Sequence, residues 1–598
     1  MGGITALYRY TQISESDREK MGLINREMQY RGPDENGIWT DKTCGLAHTR
    51  LSIIGLQNGR QPLFNEDKSL VLVCSGEIYN YIELKKSLED KGHIFNSKTD
   101  SETILHLYED YGIKCLEHLR GMFAFCLWDT KKKKLFAARD RIGEKTLYYS
   151  ILPTGVIFCT ELKSILKYFL DKKQINAHSL AECIRYNYPI DLKNTWIEQI
   201  KRLQSGEYSL VDEKGPEFHR YWRRNLTPLF NGSFEEAKAE TLRLMRESVH
   251  YCLRSDVPVA VLLSGGIDSS AVAALAKESG KEVHVITAGY KGEHACDERE
   301  TARRFATEKG FMYHEVELDV NDFKELFLEY SRFIDEPVSD VSSMSQWALY
   351  KKAKKLGFTV LMCGLGGDEL FYGYPERNET AESLKLQHTH QALFPWKGTR
   401  RKLNFLKFMI RHWQYVLKAG YPYQINDKTT VHWTYKDYLQ FASSAFLRVG
   451  GEEILFRDID VHYSYKDGGC EIDQIYSTTF NTFMTTLCLY LADRQGMGNA
   501  VEIRSPLVDY KLVEFVSSLP VELKYNRSEP KFFLKETLKG ILPEYILNAP
   551  KKGFTPPFSF IHEMNKNYRY QSLKSEYVFY NSMLADRLVT LLLTFAKE

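Results

Sequence analysis

The sequence has no apolar run close to the roughly 20 residues that a membrane-spanning helix needs. Its first residues also lack the basic-then-apolar pattern of a secretion signal. Neither sign of charge is in large excess, since the chain has 80 Lys and Arg residues and 78 Asp and Glu residues, for a net charge of +2. We therefore expect a cytoplasmic protein, with neither a membrane nor a nucleic acid among its partners.

Closely spaced cysteines are also absent. The 11 cysteines are scattered singly, and the lack of any C-x-x-C pair argues against a disulfide framework and against a zinc site held by such pairs. We interpret them as buried thiols. A chain of 598 residues is too long for one hydrophobic core, so two domains are expected.

We predict a first domain at residues 1–215, a linker at 216–240 and a second domain at 241–598. In the first, short apolar strands alternate with turns and two helical stretches, which predicts a layered α+β domain. The linker mixes turn formers without a clear period. Ser233, with Glu236 three residues later, predicts a capping box at the start of the next helix.

One heptapeptide predicts a phosphate site. Val259–Leu263 has the length and composition of a buried strand, and the Ala-rich stretch after Ser270 predicts a helix that packs on it. The intervening turn, Ser264–Ser270, offers free N–H groups at a helix N-terminus, with glycines that permit close approach of an anion. Asp268 beside a phosphate is best explained as a Mg²⁺ ligand. The turn lacks the spacing and the lysine of a kinase-type P-loop.

A second loop has the same character. A predicted strand, Thr359–Cys363, runs into Gly364-Leu-Gly-Gly-Asp-Glu369, and another, Val283–Ala288, lies between the two loops in sequence. Ligands of open α/β sheets bind at the carboxyl edge of the strands, where these loops fall. Asp368 would then lie near Asp268.

The Ser-Gly-Gly-x-Asp-Ser-Ser loop resembles the pyrophosphate loop of ATP pyrophosphatases. From the N-terminus to about Pro557 the chain resembles glutamine-dependent asparagine synthetases of the bacterial B type. The resemblance implies an α/β protein, with an Ntn αββα sandwich followed by a doubly wound parallel sheet. It also implies that ATP and Mg²⁺ are cofactors, that a carboxylate is adenylated with release of pyrophosphate, and that an amine then displaces AMP. A homodimer is compatible with it.

Site residues are implied by the same resemblance. Asp268 and Asp368 would hold Mg²⁺ and, with Lys551 of the Lys-x-Gly-Phe turn, form the catalytic set. The residues implied to bind ATP and pyrophosphate are Ser264, Gly265, Gly266, Asp268, Ser269, Ser270, Ala288, Cys363 and Gly364. Lys531 and Lys535 fall on a predicted helix that is expected to face the nucleotide.

The first domain resembles a class II glutaminase. The motifs that carry this resemblance are Arg31-Gly-Pro-Asp34, Ala47–Ile53, Gln61-Pro62, Gly76–Asn80, Asp100–Glu102, Gly121–Phe125 and Ala138–Arg141. In that family the nucleophile is a cysteine directly after the initiator Met, whereas this chain has Gly2. An Asn that donates to the oxyanion is replaced by Ser75.

We therefore expect a degenerate glutaminase site. Losing one oxyanion donor typically costs about 10²–10³ in rate, and Gly2 has no side chain with which to form a thioester. The remaining positions of that site are Arg50, Gly76, Glu77 and Asp100; in relatives, Arg50 and Asp100 match residues that hold the glutamine α-carboxylate and α-amino groups. A binding pocket without hydrolysis is one outcome, and an inert scaffold is another.

The second loop also departs from the family. Asparagine synthetases carry a Glu at the position of Leu365, where it helps to deprotonate ammonia, and a leucine cannot take a proton. Candidate replacements are Asp335, Glu336 and Asp340 in the loop that contains Pro337. Residues 376–418 are rich in basic and aromatic side chains; we interpret them as an amphipathic helix, or as a cap that receives a peptide or partner protein.

These departures favour a ligase whose nucleophile is a substrate amine, similar to the lasso peptide cyclases and β-lactam synthetases. The carboxylate would belong to a small molecule or a peptide. The first alternative is an asparagine synthetase, or a relative that amidates sugar acids, using ammonia or glutamine. The second is a pseudo-enzyme that binds nucleotide without turnover.

Overall fold

The computed structural model describes residues 1–378, except 293, 295, 339, 341 and 376, and then residues 471–550, 556–557 and 559–560. Among these residues, no helix is both long and apolar enough to cross a membrane.

Two antiparallel sheets form the first part of the chain. The first sheet has the order β10-β8-β9-β1-β3-β2 and the second the order β12-β11-β7-β6-β5-β4. The strands are β1 (Gly2–Arg9), β2 (Glu35–Thr40), β3 (Cys44–Arg50), β4 (Leu63–Phe64), β5 (Leu70–Ile78), β6 (Gly121–Asp129), β7 (Lys134–Arg139), β8 (Tyr148–Leu152), β9 (Gly155–Cys159), β10 (Lys201–Arg202), β11 (Glu207–Asp212) and β12 (Gly215–Arg220).

The central strands β5 and β6 are buried on both faces, and every second residue of a strand points into the space between the two sheets. Ile4 and Ala6 of β1 share a core with Val71 and Val73 of β5. Helices cover both outer faces. They are α1 (Glu15–Glu27), α2 (Tyr81–Glu89), α3 (Glu102–Tyr111), α4 (Cys115–His118), α5 (Leu162–Phe169) and α6 (Ala177–Tyr186). The result is the expected αββα sandwich.

The second part is built on a parallel sheet with the order β15-β14-β13-β16-β17. Its strands are β13 (Val259–Leu262), β14 (His284–Tyr290), β15 (Met312–Leu318), β16 (Val360–Met362) and β17 (Glu502–Arg504). The chain starts in the middle and winds outward in both directions, which confirms the doubly wound sheet. Alternate residues of β13 face opposite layers: Ala260 packs with Trp347, and Val261 with Ala271.

The helices of this part are α7 (Phe234–Cys252), α8 (Ile267–Lys277), α9 (Arg299–Lys309), α10 (Val320–Phe333), α11 (Ser343–Lys355), α12 (Gly367–Leu370), α13 (Glu471–Thr479), α14 (Leu489–Gly498), α15 (Tyr510–Ser518), α16 (Val521–Lys524), α17 (Phe532–Leu538) and α18 (Glu544–Leu547). A π-helix, Phe480–Cys488, joins α13 to α14. The capping box of Ser233 and Glu236 at the start of α7 is confirmed. The expected linker, 216–240, contains most of β12 and the first turns of α7.

Buried ion pairs join the two parts; we call them the ionic interface. Asp493 of α14 lies 2.8 Å from Arg31 and 3.2 Å from Lys145, and neither Arg31 nor Asp493 exposes any of its side chain. Arg494, next in the chain, lies 3.1 Å from Glu161. Such pairs are costly to break singly, since the remaining charge stays buried.

Candidate active site

The predicted phosphate loop lies between β13 and α8, at the carboxyl edge of the parallel sheet. The hydroxyls of Ser264 and Ser269 are 3.0 Å apart, and the N–H of Gly266 donates to Ser264 Oγ at 3.2 Å. Gly266 is the N-cap of α8. Because glycine has no side chain, no side-chain cap satisfies the free N–H groups of that helix end. The loop therefore presents hydroxyls and a helix N-terminus on one side of the sheet edge, an arrangement that suits an anion.

The second loop reaches the first because two of its residues, Gly364 and Gly367, have no Cβ, and Gly373 further along the chain likewise leaves room for Asp368. A Cβ on Gly364 would come within 2.8 Å of the Cβ of Asp268, and one on Gly367 within 2.2 Å of Asp268 Oδ1. On Gly373 it would come within 2.1 Å of Asp368 Oδ1. Larger residues at these positions would push the two carboxylates apart.

Lys531 lies between the two carboxylates. Its Nζ contacts Asp268 Oδ2 and lies 2.8 Å from Asp368 Oδ1. The residue precedes α17 in a left-handed conformation, with φ +59°, and is buried. Burial lowers the pKa of the Lys531 ammonium, but the charges of Asp268 and Asp368 outweigh burial and raise the pKa above its ordinary value. Lys531 is therefore a fixed cation at this point.

These loops open into a cavity of about 680 Å³. The predicted residues that line it are Ser264, Gly266, Asp268, Ser269, Ala288, Cys363, Gly364 and Asp368. Gly265 is not among the lining residues, and neither is Ser270, which is fully buried in the first turn of α8. Lys531 and Lys535 both line the cavity.

One wall of the cavity is apolar. Ile286 and Ala288 come from β14, Leu349 and Tyr350 from α11, and Leu491 from α14. The lining also includes the two aspartates, Lys531 and two serines, Ser264 and Ser269. This pairing of an apolar surface with a charged end matches a ligand that has a flat ring and a polyanionic tail.

The cavity also contains the position of the missing base. Leu365 lines it, together with two carboxylates, Asp340 and Glu369. Burial raises the pKa of both carboxyl groups, and for Glu369 the neighbouring Asp368 adds to the effect. Burial raises the pKa of the Cys488 thiol, which also lines the cavity, and the charges of Glu369 and Asp340 add to this effect.

The other two candidate carboxylates lie elsewhere. Asp335 Oδ2 accepts from the N–H of Leu162 at 2.8 Å, and Glu336 binds Arg202 and the hydroxyl of Tyr148. Both side chains are buried in the ionic interface, and neither lines the cavity. The hypothesis that Asp335 or Glu336 replaces the missing base is therefore wrong, because neither carboxylate reaches the cavity.

Gly2 lies on β1 directly beside β3. Its φ is +151°, and a Cβ built on it would come within 1.6 Å of the carbonyl oxygen of Thr49. The Ser75 hydroxyl donates to the carbonyl of Gly2 at 2.7 Å. The backbone therefore leaves no space for a side chain at Gly2, and Ser75 is turned toward that backbone.

The remaining positions of the glutaminase-like site are buried and occupied by protein partners. The Arg50 guanidinium contacts Glu35 and donates to the carbonyls of Ile54 and Gly55. Asp100 accepts from the N–H of Ile78 at 2.6 Å. Gly76 and Glu77 follow Ser75 on β5, and Glu77 Oε1 lies 3.9 Å from the N-terminal amine. Burial raises the pKa of the carboxyl groups of Asp100 and Glu77.

Two predictions fall on residues outside the described ranges. Lys551 lies there, as does the 376–418 segment apart from Arg377 and Asn378. Two functional candidates were missed. The sequence pattern assigns no role to Glu369, and it predicts for Lys531 only a position on a helix near the nucleotide. Its sequence separation from Asp268 hides the contact.

Comparison with known proteins agrees with this arrangement. The sequence model of the asparagine synthase family matches residues 240–588, and that of the glutamine amidotransferase domain matches residues 1–222. The asparagine synthetase [glutamine-hydrolyzing] 1 of Bacillus subtilis (strain 168) is 29% identical over 577 residues, which cover 94% of this chain and 88% of that protein. Amidase chry2 of Gibberella zeae is 29% identical over 597 residues, covering 92% and 86%.

The matched region contains both loops, the two aspartates and the cavity between them. The chain therefore belongs to the asparagine synthase family, whose members are ATP-dependent ligases that form carbon–nitrogen bonds, and it carries a glutamine amidotransferase-like first domain.

Proposed function

We propose that the chain adenylates a substrate carboxylate with ATP and couples it to an amine of a substrate, as in macrolactam formation during peptide or specialised-metabolite biosynthesis. A carboxylate oxygen attacks the α-phosphorus, and pyrophosphate leaves. The amine nitrogen then attacks the acyl carbon, AMP leaves and the nitrogen loses a proton. The product is an amide.

The cavity supports the first step. The apolar wall of Ile286, Ala288 and Tyr350 offers a surface for adenine, and the serine loop offers donors to phosphate oxygens. Lys531 would stabilise the negative charge that leaves with pyrophosphate, because it is a buried cation next to the phosphate loop.

Asp268 and Asp368 fit a magnesium ion. Carboxylates from two separate loops converge on the single Nζ of Lys531, and carboxylate oxygens are the ligands that Mg²⁺ prefers. When bound there, magnesium would neutralise charge on the phosphates.

The main observation that favours a substrate amine over ammonia from glutamine is the backbone conformation at Gly2. Gly2 supplies no thiol, and a Cβ built on it lies 1.6 Å from the Thr49 carbonyl oxygen, so the backbone would have to shift to accept a cysteine. We therefore expect no ammonia from glutamine at this site. Leu365 removes in addition the residue that would deprotonate ammonia in the second domain. Both changes favour an amine that arrives as part of a substrate.

We propose Glu369 as the group that accepts the amine proton. It lies in the same loop as Leu365, is 3% exposed and accepts a hydrogen bond from the Tyr374 hydroxyl. Its raised pKa makes it a stronger base than an exposed carboxylate.

We expect Glu369→Gln to lower kcat about 10²–10⁴-fold and to remove the acidic limb of the pH–rate profile. The limb should lie above the ordinary carboxyl pKa, because burial raises the pKa of Glu369. Glu278→Gln, a surface variant with a 40% exposed side chain, is the control. If Asp340→Asn loses the acidic limb while Glu369→Gln keeps it, the proton acceptor is Asp340.

The second candidate is an ammonia-fed asparagine synthetase. Similarity to the glutamine-hydrolyzing asparagine synthetase 1 of Bacillus subtilis favours asparagine as the product, though not ammonia as the nitrogen source. The test is release of pyrophosphate with Mg-ATP. One series supplies aspartate with ammonium, with glutamine, or with neither. A second supplies a peptide that has a free N-terminal amine and an internal Asp or Glu, beside the same peptide acetylated at its N-terminus.

We expect amide formation with the free-amine peptide, none with the acetylated one, and no glutamate release from glutamine. Asparagine formed from aspartate and ammonium alone would establish the second candidate and reject the first. Glutamate release from glutamine would contradict the conclusion drawn from Gly2.

A further inference from the structure

Four metal-ligating side chains meet on the outer side of the second sheet of the first domain. Glu66 comes from the turn between β4 and β5, His93 from the loop after α2, and His106 and Glu109 from α3. The donor atoms of all four lie within 4.8 Å of one another. None of them lines the cavity of the ligase site.

The distances fit a tetrahedral ion. His93 Nδ1 lies 3.3 Å from Glu66 Oε1 and 3.6 Å from Glu109 Oε2. His106 Nδ1 lies 3.5 Å and 3.0 Å from the same two oxygens. Metal–ligand bonds of about 2.0–2.1 Å at tetrahedral angles place neighbouring donor atoms about 3.3 Å apart. The four nitrogen–oxygen distances bracket this value.

The outer nitrogen of each imidazole faces a further carboxylate. His93 Nε2 lies 3.1 Å from Asp110 Oδ1, and His106 Nε2 lies 3.7 Å from Glu102 Oε1. Asp110 is itself 2.8 Å from Lys91. Metal-binding histidines commonly have their second nitrogen on a carboxylate, which fixes the ring and makes the inner nitrogen a better ligand.

The two glutamates are also held in place. Glu66 Oε1 accepts from the N–H of Ile94 at 3.0 Å, and Glu109 Oε1 accepts from the Asn65 side chain at 2.8 Å. The Asn65 contact leaves Glu109 Oε2 directed at the histidines. His106 is fully buried, so at least one of the four donors is shielded from water.

We propose that Glu66, His93, His106 and Glu109 bind a divalent transition-metal ion of the zinc type. Two imidazole nitrogens favour such an ion over magnesium or calcium, which take oxygen ligands. Because the protein supplies all four ligands, the site is structural. The ion would tie α3 to two loops that are far apart in sequence.

The test uses the full-length protein, stripped with a chelator and then titrated with Zn²⁺ by calorimetry and with Co²⁺ by visible absorption. We expect one equivalent of zinc, and Co²⁺ absorption of the intensity that tetrahedral sites give. Bound zinc should raise the melting temperature by about 5 °C at 100 times Kd.

Glu109→Gln and Glu66→Gln preserve shape and should weaken zinc binding at least about 10-fold, while His93→Gln should abolish the Co²⁺ spectrum. His219→Ala is the matched control, since His219 is partly exposed and lies 3.5 Å from one glutamate, Glu217. The proposal is overturned if the double variant Glu66→Gln/Glu109→Gln, folded by circular dichroism, binds as much zinc as the parent protein. It is also overturned if the parent binds none, in which case the histidines and carboxylates form only a hydrogen-bonded cluster.

Discussion

Asp368→Asn is expected to reduce ATP-dependent pyrophosphate release by about 10³-fold, equivalent to about 4 kcal/mol of transition-state stabilisation. Asp368 and Asp268 converge from two loops on one point, and their combined charge sets what that point can hold. An amide has no charge to contribute there. Lys531 would remain paired with Asp268, so the fold around the loop should persist.

The measurement is steady-state pyrophosphate release at saturating Mg-ATP, with circular dichroism to show that the variant is folded. Asp171→Asn, which changes an exposed carboxylate of the first domain, should keep full activity. Release within threefold of the parent rate in Asp368→Asn would show that the two-aspartate site does not take part in the reaction.

Asp493→Ala is expected to lower the free energy of unfolding by about 3–5 kcal/mol, the cost of leaving buried charges without their partner. Asp493 is in contact with Arg31 and Lys145, and none of its side chain is exposed. Urea unfolding of the full chain measures the effect. The control is Asp212→Ala, which removes a partly exposed pair with Lys134 and should cost at most about 1 kcal/mol.

The same aspartate makes the stability depend on pH. Burial raises the pKa of Asp493, but Arg31 and Lys145 outweigh it and lower the pKa from 3.8 to about 2. A lowered pKa stabilises the fold above the unfolded value and loses this effect as the pH falls from about 4 to about 2. The loss should be about 2 kcal/mol, and Asp493→Ala should lack this component. An unchanged acid limb in that variant would show that other carboxylates cause it.

The sequence predicted those parts of the site that are local in the chain. Each phosphate-side loop follows its own strand, so Asp268 and Asp368 could be placed from the strand-turn-helix pattern and the rule that parallel strands end at one edge. The position of Lys531 depends on how α17 packs across the sheet, and no local pattern contains that information.

The loop of Asp335, Glu336 and Asp340 shows the same limit. Three carboxylates within six residues look equivalent in sequence, yet two point into the ionic interface and one into the cavity. Which of them faces the substrate depends on Arg202 and Arg494, which are far apart in the chain and belong to its first and second parts. The sequence shows directly that residue 2 is a glycine. The close approach of the Thr49 carbonyl on the neighbouring strand, which leaves no space for a Cβ there, is visible only in the structure.

The ionic interface has a further consequence for the history of this protein. The first domain holds Asp335 and Glu336, and thereby the loop that carries Asp340 to the cavity. Removal of the first half of the chain would leave Asp493, Arg494 and these carboxylates facing water or one another. Deletion of that half would thus harm the half that remains, so selection would keep the first domain as a fixed wall of its neighbour even without the glutaminase activity that we propose it lacks.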